Sequence, residues 1–426
     1  MKTTIIALIA ASLFMTPPLT RSQGTAVPFL LVPPSPESLG MGGGSISLPS
    51  GDAIATVVNP GQLGLSSLTN LFNASTYVPE SDWLPQYQIA GMSYGVTALN
   101  AGYNLRSLLS LPFGLSVGLG YSRVSLDLGT FALTNSGGPS VIGTYESSEH
   151  SDNFSMGIGL DCYVRLGVGL NLKRIVSEIG PVGAESEKGT ATGRSSATDF
   201  GILLDVPILQ VVSKASGAGL EIAPGMIPFL DVSLGYVKAN VGEEMRYLDP
   251  AQADPLPRTS EIGLCIGTGI AMKSGGTEWQ LASFRLVRQV DDLLVTRNID
   301  GSFDYKSGLG DIQFWDNVVL GKHTESVTLR RGWQVQVGEF FSWREGSVES
   351  PGRSPYTTSG YSICLAGVLR CVHGVSQSLI PNGSWLEFAM GHFDLQFHSA
   401  KYDQPTPAEG RATASSLNLV VRGFSL

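Results

Sequence analysis

Apolar residues alternate one by one with small or polar residues over long stretches of this chain. At 113–122, Phe113, Leu115, Val117, Leu119 and Tyr121 alternate with Gly114, Ser116, Gly118, Gly120 and Ser122. At 154–172 the apolar set is Phe154, Met156, Ile158, Leu160, Leu166, Val168, Leu170 and Leu172. It is set against Ser155, Gly157, Gly159, Asp161, Gly167, Gly169 and Asn171. The parity runs unbroken through Cys162 to Val164, as it does in a hairpin whose turn has an odd number of residues. Ile262, Leu264, Ile266 and Ile270 likewise oppose Gly263, Cys265, Gly267 and Gly269. Phe393, Leu395 and Phe397 oppose His392, Asp394, Gln396 and His398. Successive side chains of a β-strand point to opposite faces, so period two predicts strands with one oily face each.

What stands on the second face decides the class. A soluble sandwich turns that face to water and fills it with Lys, Glu and Thr. Here it is mostly Gly, Ser and Ala, and charge is scarce on either face. The pattern predicts an all-β fold: an antiparallel transmembrane β-barrel of about fourteen strands, large side chains toward lipid and small ones toward a crowded lumen. Polar segments rich in Gly, Pro and Ser at 134–153, 177–198, 244–260, 345–360 and 401–415 predict long outer loops. The remaining connections read as tight periplasmic turns.

Aromatic residues fit an interfacial girdle. Trp279, Trp333 and Trp385 are each expected to open a strand. Trp333 and Trp343 are ten residues apart, which at ~3.3 Å per residue and ~40° tilt spans about 25 Å of apolar band. Strict alternation from Trp333 puts Glu339 toward lipid, so the sequence calls for a bulge near Gly338 or an interfacial position for Glu339. The chain ends Leu417-Asn418-Leu419-Val420-Val421-Arg422-Gly423-Phe424-Ser425-Leu426. Phe424 and Leu426, at alternate terminal positions, resemble the signal read by the barrel-assembly machinery.

Composition agrees. Charged residues are 15% of the chain and glycines number 52, against ~25% and ~7% in soluble domains. Mean hydropathy is only +0.13, as expected when each strand is oily on one side. A net charge of −9 argues against a nucleic-acid partner. Lys2, the apolar run Ile5 to Phe14 and then Pro17-Pro18 read as a signal peptide, too short to span a bilayer. Ser22 and Gly24 suit a cleavage site after Gly24. The expected organisation is 1–24 signal peptide, 25–66 internal plug segment and 67–426 barrel, placed in the outer membrane of a didermic bacterium. Cys162, Cys265, Cys364 and Cys371 are dispersed without a CxxC pair, so neither a zinc site nor a disulfide is expected.

Residues 36–64 read PESLGMGGGSISLPSGDAIATVVNPGQLG. The Gly40-Met41-Gly42-Gly43-Gly44 run lacks the Lys-Ser/Thr of a phosphate loop and suits backbone packed tightly against a wall. With Asp52, Ala53, Ala55, Asn59, Pro60 and Leu63, the stretch resembles the start of mature PorV/PorQ-type proteins of the FadL-like outer-membrane family. One Asp stands where those have two, and Gly61-Gln62 replaces Ala-Gly. The resemblance implies a fourteen-stranded barrel with its N-terminal segment folded inward as a hatch. The motif residues Gly40, Met41, Gly42, Gly43, Asp52, Asn59 and Pro60 would seat that hatch, with Asn59-Pro60 a rigid turn whose Asn bonds local backbone.

Candidate chemistry is sparse. His150, His323, His373, His392 and His398 are scattered, and His392 and His398 read as a polar lumenal stripe with Asp394. Asn298, Asp300, Gly301 and Asp304 only partly match a calcium loop, which needs a closing Glu. Asp291 and Asp292 read as a solvated turn. With no GxSxG, HExxH or Ser/His/Asp pattern, no catalysis, metal or cofactor is expected. Two functions stand. The FadL-like resemblance implies passive transport of hydrophobic small molecules. The PorV-like one implies a partner or scaffold in type IX secretion, with 177–198 and 345–360 as its platform. The expected partners are outer-membrane lipids, the assembly machinery, and either a hydrophobic ligand or secreted proteins.

Overall fold

The computed structural model describes residues 24–78, 81–82, 92–134, 141–182, 189–217, 219–247, 253–274, 277–298, 302–375, 384–403 and 411–422. The expected signal peptide, up to residue 23, and the terminal Phe424 and Leu426 lie outside the described residues.

Fourteen long strands form one closed antiparallel barrel: β1 (Asn70–Tyr77), β2 (Ser93–Asn104), β3 (Gly114–Thr134), β4 (Val141–Cys162), β5 (Val164–Val182), β6 (Gly189–Pro207), β7 (Met226–Gly242), β8 (Thr259–Ser274), β9 (Thr277–Leu293), β10 (Thr328–Val337), β11 (Phe341–Glu349), β12 (Tyr356–Cys364), β13 (Phe393–Asp403) and β14 (Arg411–Arg422). Each strand pairs with its neighbours in sequence. β1 closes the ring by pairing with both β14 and β2, so the wall has no free edge. The Ser81–Asp82 piece extends β2's pairing.

The alternation read from the sequence maps onto inside and outside. Leu119, Phe154, Met156, Ile158, Leu172, Leu234, Ile266, Leu286, Val335, Trp343, Ile363, Leu395 and Leu419 are exposed on the outer face. Leu119 keeps 66% of its surface open. Apolar patches this continuous are not left to water; a ring of them around a closed barrel is a lipid-facing belt. Tyr163, at φ 69°, makes a one-residue turn between β4 and β5, which carries the parity through.

Several expectations change. Trp385 opens no strand: it is the first residue of helix α6 (Trp385–His392), which follows helix α5 (Leu365–Val375) between β12 and β13. Trp279 stands near the start of β9, as its third residue, whereas Trp333 lies in the middle of β10. Trp333 and Trp343 do not measure one membrane span, because a turn at 338–340 folds β11 back on β10. Trp333 pairs with Glu345, and Trp343 with Val335. Glu339 sits in that turn at φ 57°, ion-paired with Arg370, so it never faces the apolar band. The turn end of the barrel therefore carries two helical insertions, α4 (Ile208–Ser216) and α5–α6, as well as tight turns.

The long loops are also shorter than expected. Most of 134–153, 177–198, 345–360 and 401–415 is strand. Above the belt the outer face becomes polar, as at Arg123, Asp127 and Asp152, but backbone pairing continues. The outward apolar row ends where lipid ends; the hydrogen-bond ladder does not. All four cysteines are free.

Residues 303–327 fold back over the outer wall near the loop end. Ile312, Val318 and Val327 bury the outward-facing Ile262, Val290 and Leu329. Lys306 pairs with the buried Asp292, whose Oδ2 also accepts from the Asp311 backbone N–H at 2.6 Å. Asp291 instead faces inward on β9 and pairs with Arg330. The two aspartates thus belong to a strand and fix opposite sides of it, in place of the solvated turn.

Candidate functional site

The chain from Gly24 to Thr69 runs through the lumen. It starts at the loop end, where Gly24 packs on Arg297 and the Ala26 N–H donates to Pro255 O at 3.0 Å. It leaves at the turn end, where Asn104 Nδ2 donates to Leu68 O at 3.0 Å. Between lie a 3-10 turn at Pro28–Leu31 and three short helices: α1 (Pro36–Leu39), α2 (Ala55–Val58) and α3 (Gly61–Ser66).

This segment touches every strand. Side chains pointing in from the wall take its backbone: Asn73 to Gly51 O (3.1 Å), Asn100 to Ala53 O (3.1 Å), Ser116 to Gly64 O (2.6 Å), Asn171 to Thr56 O (3.1 Å) and Asn418 to Gly51 O (3.2 Å). Gln289 Oε1 accepts from Ser45 N at 2.8 Å and Ile46 N at 3.2 Å. Short helices buried in a lumen leave orphan backbone groups, and these polar wall residues satisfy them. Where α3 meets β4 and β5 the wall is glycine: a Cβ on Gly159 would lie 2.2 Å from Gly64 O, and one on Gly167 2.1 Å from Gly61 O. Only hydrogen fits there.

The motif residues are brought to the segment's seats. Gly42 adopts φ +73°, its N–H donates to Thr358 Oγ1 at 2.8 Å, and its carbonyl accepts from Arg330 Nη1 at 3.1 Å. A Cβ on Gly346 would meet Gly42 N at 2.2 Å, and Gly40 packs on Gly360. Gly43 also needs positive φ, at 76°. Met41 is fully buried with Leu48, Cys265 and Val287. Asn59 Oδ1 accepts from Gly61 N at 2.9 Å, forming a side-chain turn over Pro60. Its Nδ2 bridges Ile46 O at 2.7 Å and the wall carbonyl of Ile202 at 3.1 Å.

An acidic pair anchors the middle. Arg344 Nη2 lies 3.1 Å from Glu37 Oε1, and Arg344 Nε donates to Gln334 Oε1 at 2.8 Å. Ser362, which also takes a hydrogen bond from Arg344, shares a 2.6 Å hydrogen bond with His398 Nδ1. Burial pushes the Glu37 carboxyl up, but Arg344 and His398 outweigh it and hold the group below its ordinary value. Asp52, bonded by Ser35 Oγ at 3.1 Å and Ile54 N at 3.0 Å, goes the other way: burial and the nearby Glu37 raise it. His398 thus belongs to this anchor, whereas His392 ends α6 and shares no lumenal stripe with Asp394.

Above the segment, toward the loop end, lies a cavity of about 720 Å³. Phe29, Met92, Tyr94, Val124, Leu126 and Leu128 form one wall. The sequence reading missed these residues, though a signal was present. Along β3 the apolar parity is odd through Tyr121 and even from Val124, with the register unbroken between them. Greasy residues thus face lipid below and the lumen above. The opposite wall carries Lys173, Asn240, Glu261, Gln289, Asp291 and Arg330. Lys173 and Arg330 are matched, the first with Asp199 at 2.7 Å and the second with Asp291, while Arg353 stands exposed at the cavity's edge. Such a site can hold a neutral, largely apolar molecule and orient a polar end. Among the described residues no group of three or more His, Cys, Asp or Glu is placed to hold a metal ion. Asn298 bonds Asp304 and Ser302, each at 3.0 Å, while Asp300 and Gly301 lie outside the described residues.

No protein-family model matches the chain, and no curated protein sequence matches it. Among solved structures it is similar to the toluene transporter TbuX of Ralstonia pickettii, with 11% identity over 91% of this chain and 97% of that one, at TM-score 0.38. It is similar to the toluene transporter TodX of P. putida, with 9% identity over 91% and 97%, at TM-score 0.35. It is also similar to a Pseudomonas aeruginosa FadL homologue, with 8% identity over 91% and 98%, at TM-score 0.38. The likeness is one of barrel architecture alone.

Proposed function

We propose that this protein is an outer-membrane barrel that takes neutral hydrophobic small molecules into its lumen and passes them inward past residues 25–66, which act as a hatch. The observation that carries the reading is the cavity of about 720 Å³ above that segment, apolar along one wall. Along β3 that wall is built from residues whose greasiness is inverted relative to the belt, so it is a made feature of the lumen. The loop end, with its polar strand overhangs, faces outward, and the end holding Tyr163 and the helical insertions faces the periplasm. The matched cations on the polar wall favour neutral ligands over anions. The test is uptake by proteoliposomes of two fluorescent dyes of similar size, one neutral and apolar, one carboxylated. Faster protein-dependent entry of the neutral dye is expected; equal rates, or no protein-dependent entry, would sink the reading.

A second reading, a PorV-like partner for type IX secretion, is favoured by one feature. The hairpins of β3–β4 and β5–β6 project above the belt as paired strands, a stiff platform for another protein. Co-purification with an exported protein that is lost on trimming these hairpins would support it.

A further inference from the structure

The outer wall carries a second cavity, of about 600 Å³, beneath the folded-back segment 303–327. Two rows of outward side chains make its floor. Leu264, Arg288, Arg331 and Ser347 stand in register across β8 to β11, and Ile266, Leu286, Trp333 and Glu345 form the row nearer the membrane centre. The row above, Ile262, Val290 and Leu329, is roofed by Val318 and Val327. The groove is therefore closed toward the loop end and continuous with the belt toward the turn end.

Arg288 and Arg331 are directly opposed on neighbouring strands, an arrangement of like charges that costs stability unless something offsets it. Each is steadied by the folded-back segment: Arg288 Nη1 donates to Val318 O at 3.2 Å and to Val319 O, and Arg331 Nη2 to Gly321 O at 2.8 Å. Arg331 also pairs with Glu349 at 2.7 Å. Glu345 accepts from the Trp343 indole N–H at 3.3 Å, and on the segment Lys322 pairs with Asp316 at 2.7 Å. Among the described residues Arg288 has no carboxylate partner. One positive charge with unused N–H donors thus stands at the upper edge of a floor that is apolar from Leu264 to Trp333, carries the Glu345 carboxylate at its far side, and opens into lipid.

We propose that this groove binds a phosphate-bearing anionic lipid of the surrounding bilayer. The phosphate sits against Arg288 and Arg331, and an acyl chain lies over Leu264, Ile266, Leu286 and Trp333. The size is right for the upper part of one lipid and too large for an ion. Continuity with the belt makes the bilayer itself the source. The inference rests on the membrane reading of the belt and is independent of what the lumen carries.

Trp333, on the floor, supplies the readout. The full mature chain is reconstituted in phosphatidylcholine vesicles containing a minor fraction of either brominated phosphatidylglycerol or brominated phosphatidylcholine. The difference in tryptophan quenching between wild type and Trp333→Phe isolates Trp333. At equal fraction, phosphatidylglycerol should quench Trp333 with about fivefold preference, the worth of one basic residue at an anionic lipid. Arg288→Gln should abolish the preference, and Arg288→Lys should keep most of it. Equal quenching by the two lipids in wild type overturns the proposal whether or not the variants fold. So does a preference that survives Arg288→Gln.

Discussion

Arg344 on β11 and Glu37 on α1 meet at 3.1 Å deep in the lumen, joining residues 307 positions apart in sequence. Arg344 keeps 3% of its side chain exposed, so its charge is matched by protein or by nothing. Removing one partner of a buried pair typically costs about 3–5 kcal/mol, whereas replacing both with apolar groups of similar volume can be neutral. Glu37→Gln should therefore loosen the lumenal segment, read as raised single-channel conductance and faster proteolysis near residue 37. Adding Arg344→Met should restore the closed state. If Glu37→Gln conducts like wild type, the pair does not hold the segment.

The same anchor sets a pH dependence. The docked Glu37 carboxyl lies below its ordinary value of 4.5. Its contribution to docking is complete above that value and is lost as pH falls through the lower, docked value. Asp52 opposes this. Its docked carboxyl is raised above 3.8, so it takes up a proton more readily when docked and favours docking as pH falls. Wild type should open only modestly in acid. Asp52→Asn removes the opposing term, so its conductance should rise more steeply below pH 4.5. A flatter acid response than wild type would contradict these signs.

The barrel was legible because lipid and lumen differ chemically at every residue of a strand: Leu115 to Tyr121 and Phe154 to Leu172 spell inside and outside directly. Beyond the belt that contrast ends. Val141 to His150 read as loop although all of them but Ile142 pair with β3, and a pattern of side chains cannot report a ladder of amides. Trp333 and Trp343 misled because spacing alone does not tell one long strand from a hairpin. Gly338 and Glu339, both at positive φ, were the turn signal. Gly42 stands at φ +73°, which favours glycine, and Asn59 acts through side-chain hydrogen bonds to Gly61 N, Ile46 O and Ile202 O; both are local requirements of the kind a short motif carries. Asp291 and Asp292 were opaque, since their partners Arg330 and Lys306 are brought in by pairing and by a fold-back that nothing local encodes.

Close backbone approach should be separable from barrel formation. A Cβ on Gly159 would sit 2.2 Å from Gly64 O and 2.4 Å from Ser116 Oγ, while one on Gly143 meets nothing within 4 Å. Gly159→Ala leaves the β4 ladder and the outer face intact, so the barrel should still run as a folded, heat-modifiable species on gels. Helix α3, however, cannot seat, and protease should cut between residues 60 and 69 at least several times faster. Gly143→Ala should match wild type in both assays. Loss of the folded gel species in Gly159→Ala would mean that the lumenal segment is needed to build the barrel itself.

The parity inversion along β3 gives the sharpest test of the cavity. Leu119 and Leu126 are the same residue type on one strand, one 66% exposed on the outside and the other 8% exposed at the cavity wall. A tryptophan at 126 intrudes on the space a ligand would fill; a tryptophan at 119 only adds area to a surface already in lipid. Leu126→Trp should weaken binding of a neutral apolar dye by roughly tenfold, equivalent to ~1.4 kcal/mol. That is just below the roughly 1.5–3 kcal/mol of burying one leucine-sized group, as some repacking around the new ring would make it. Leu119→Trp should leave the affinity unchanged. Dye titration by fluorescence polarisation measures both. Equal affinities for the two variants would place the dye outside this cavity, most simply in the belt lipid, and would remove the support that the cavity lends to transport.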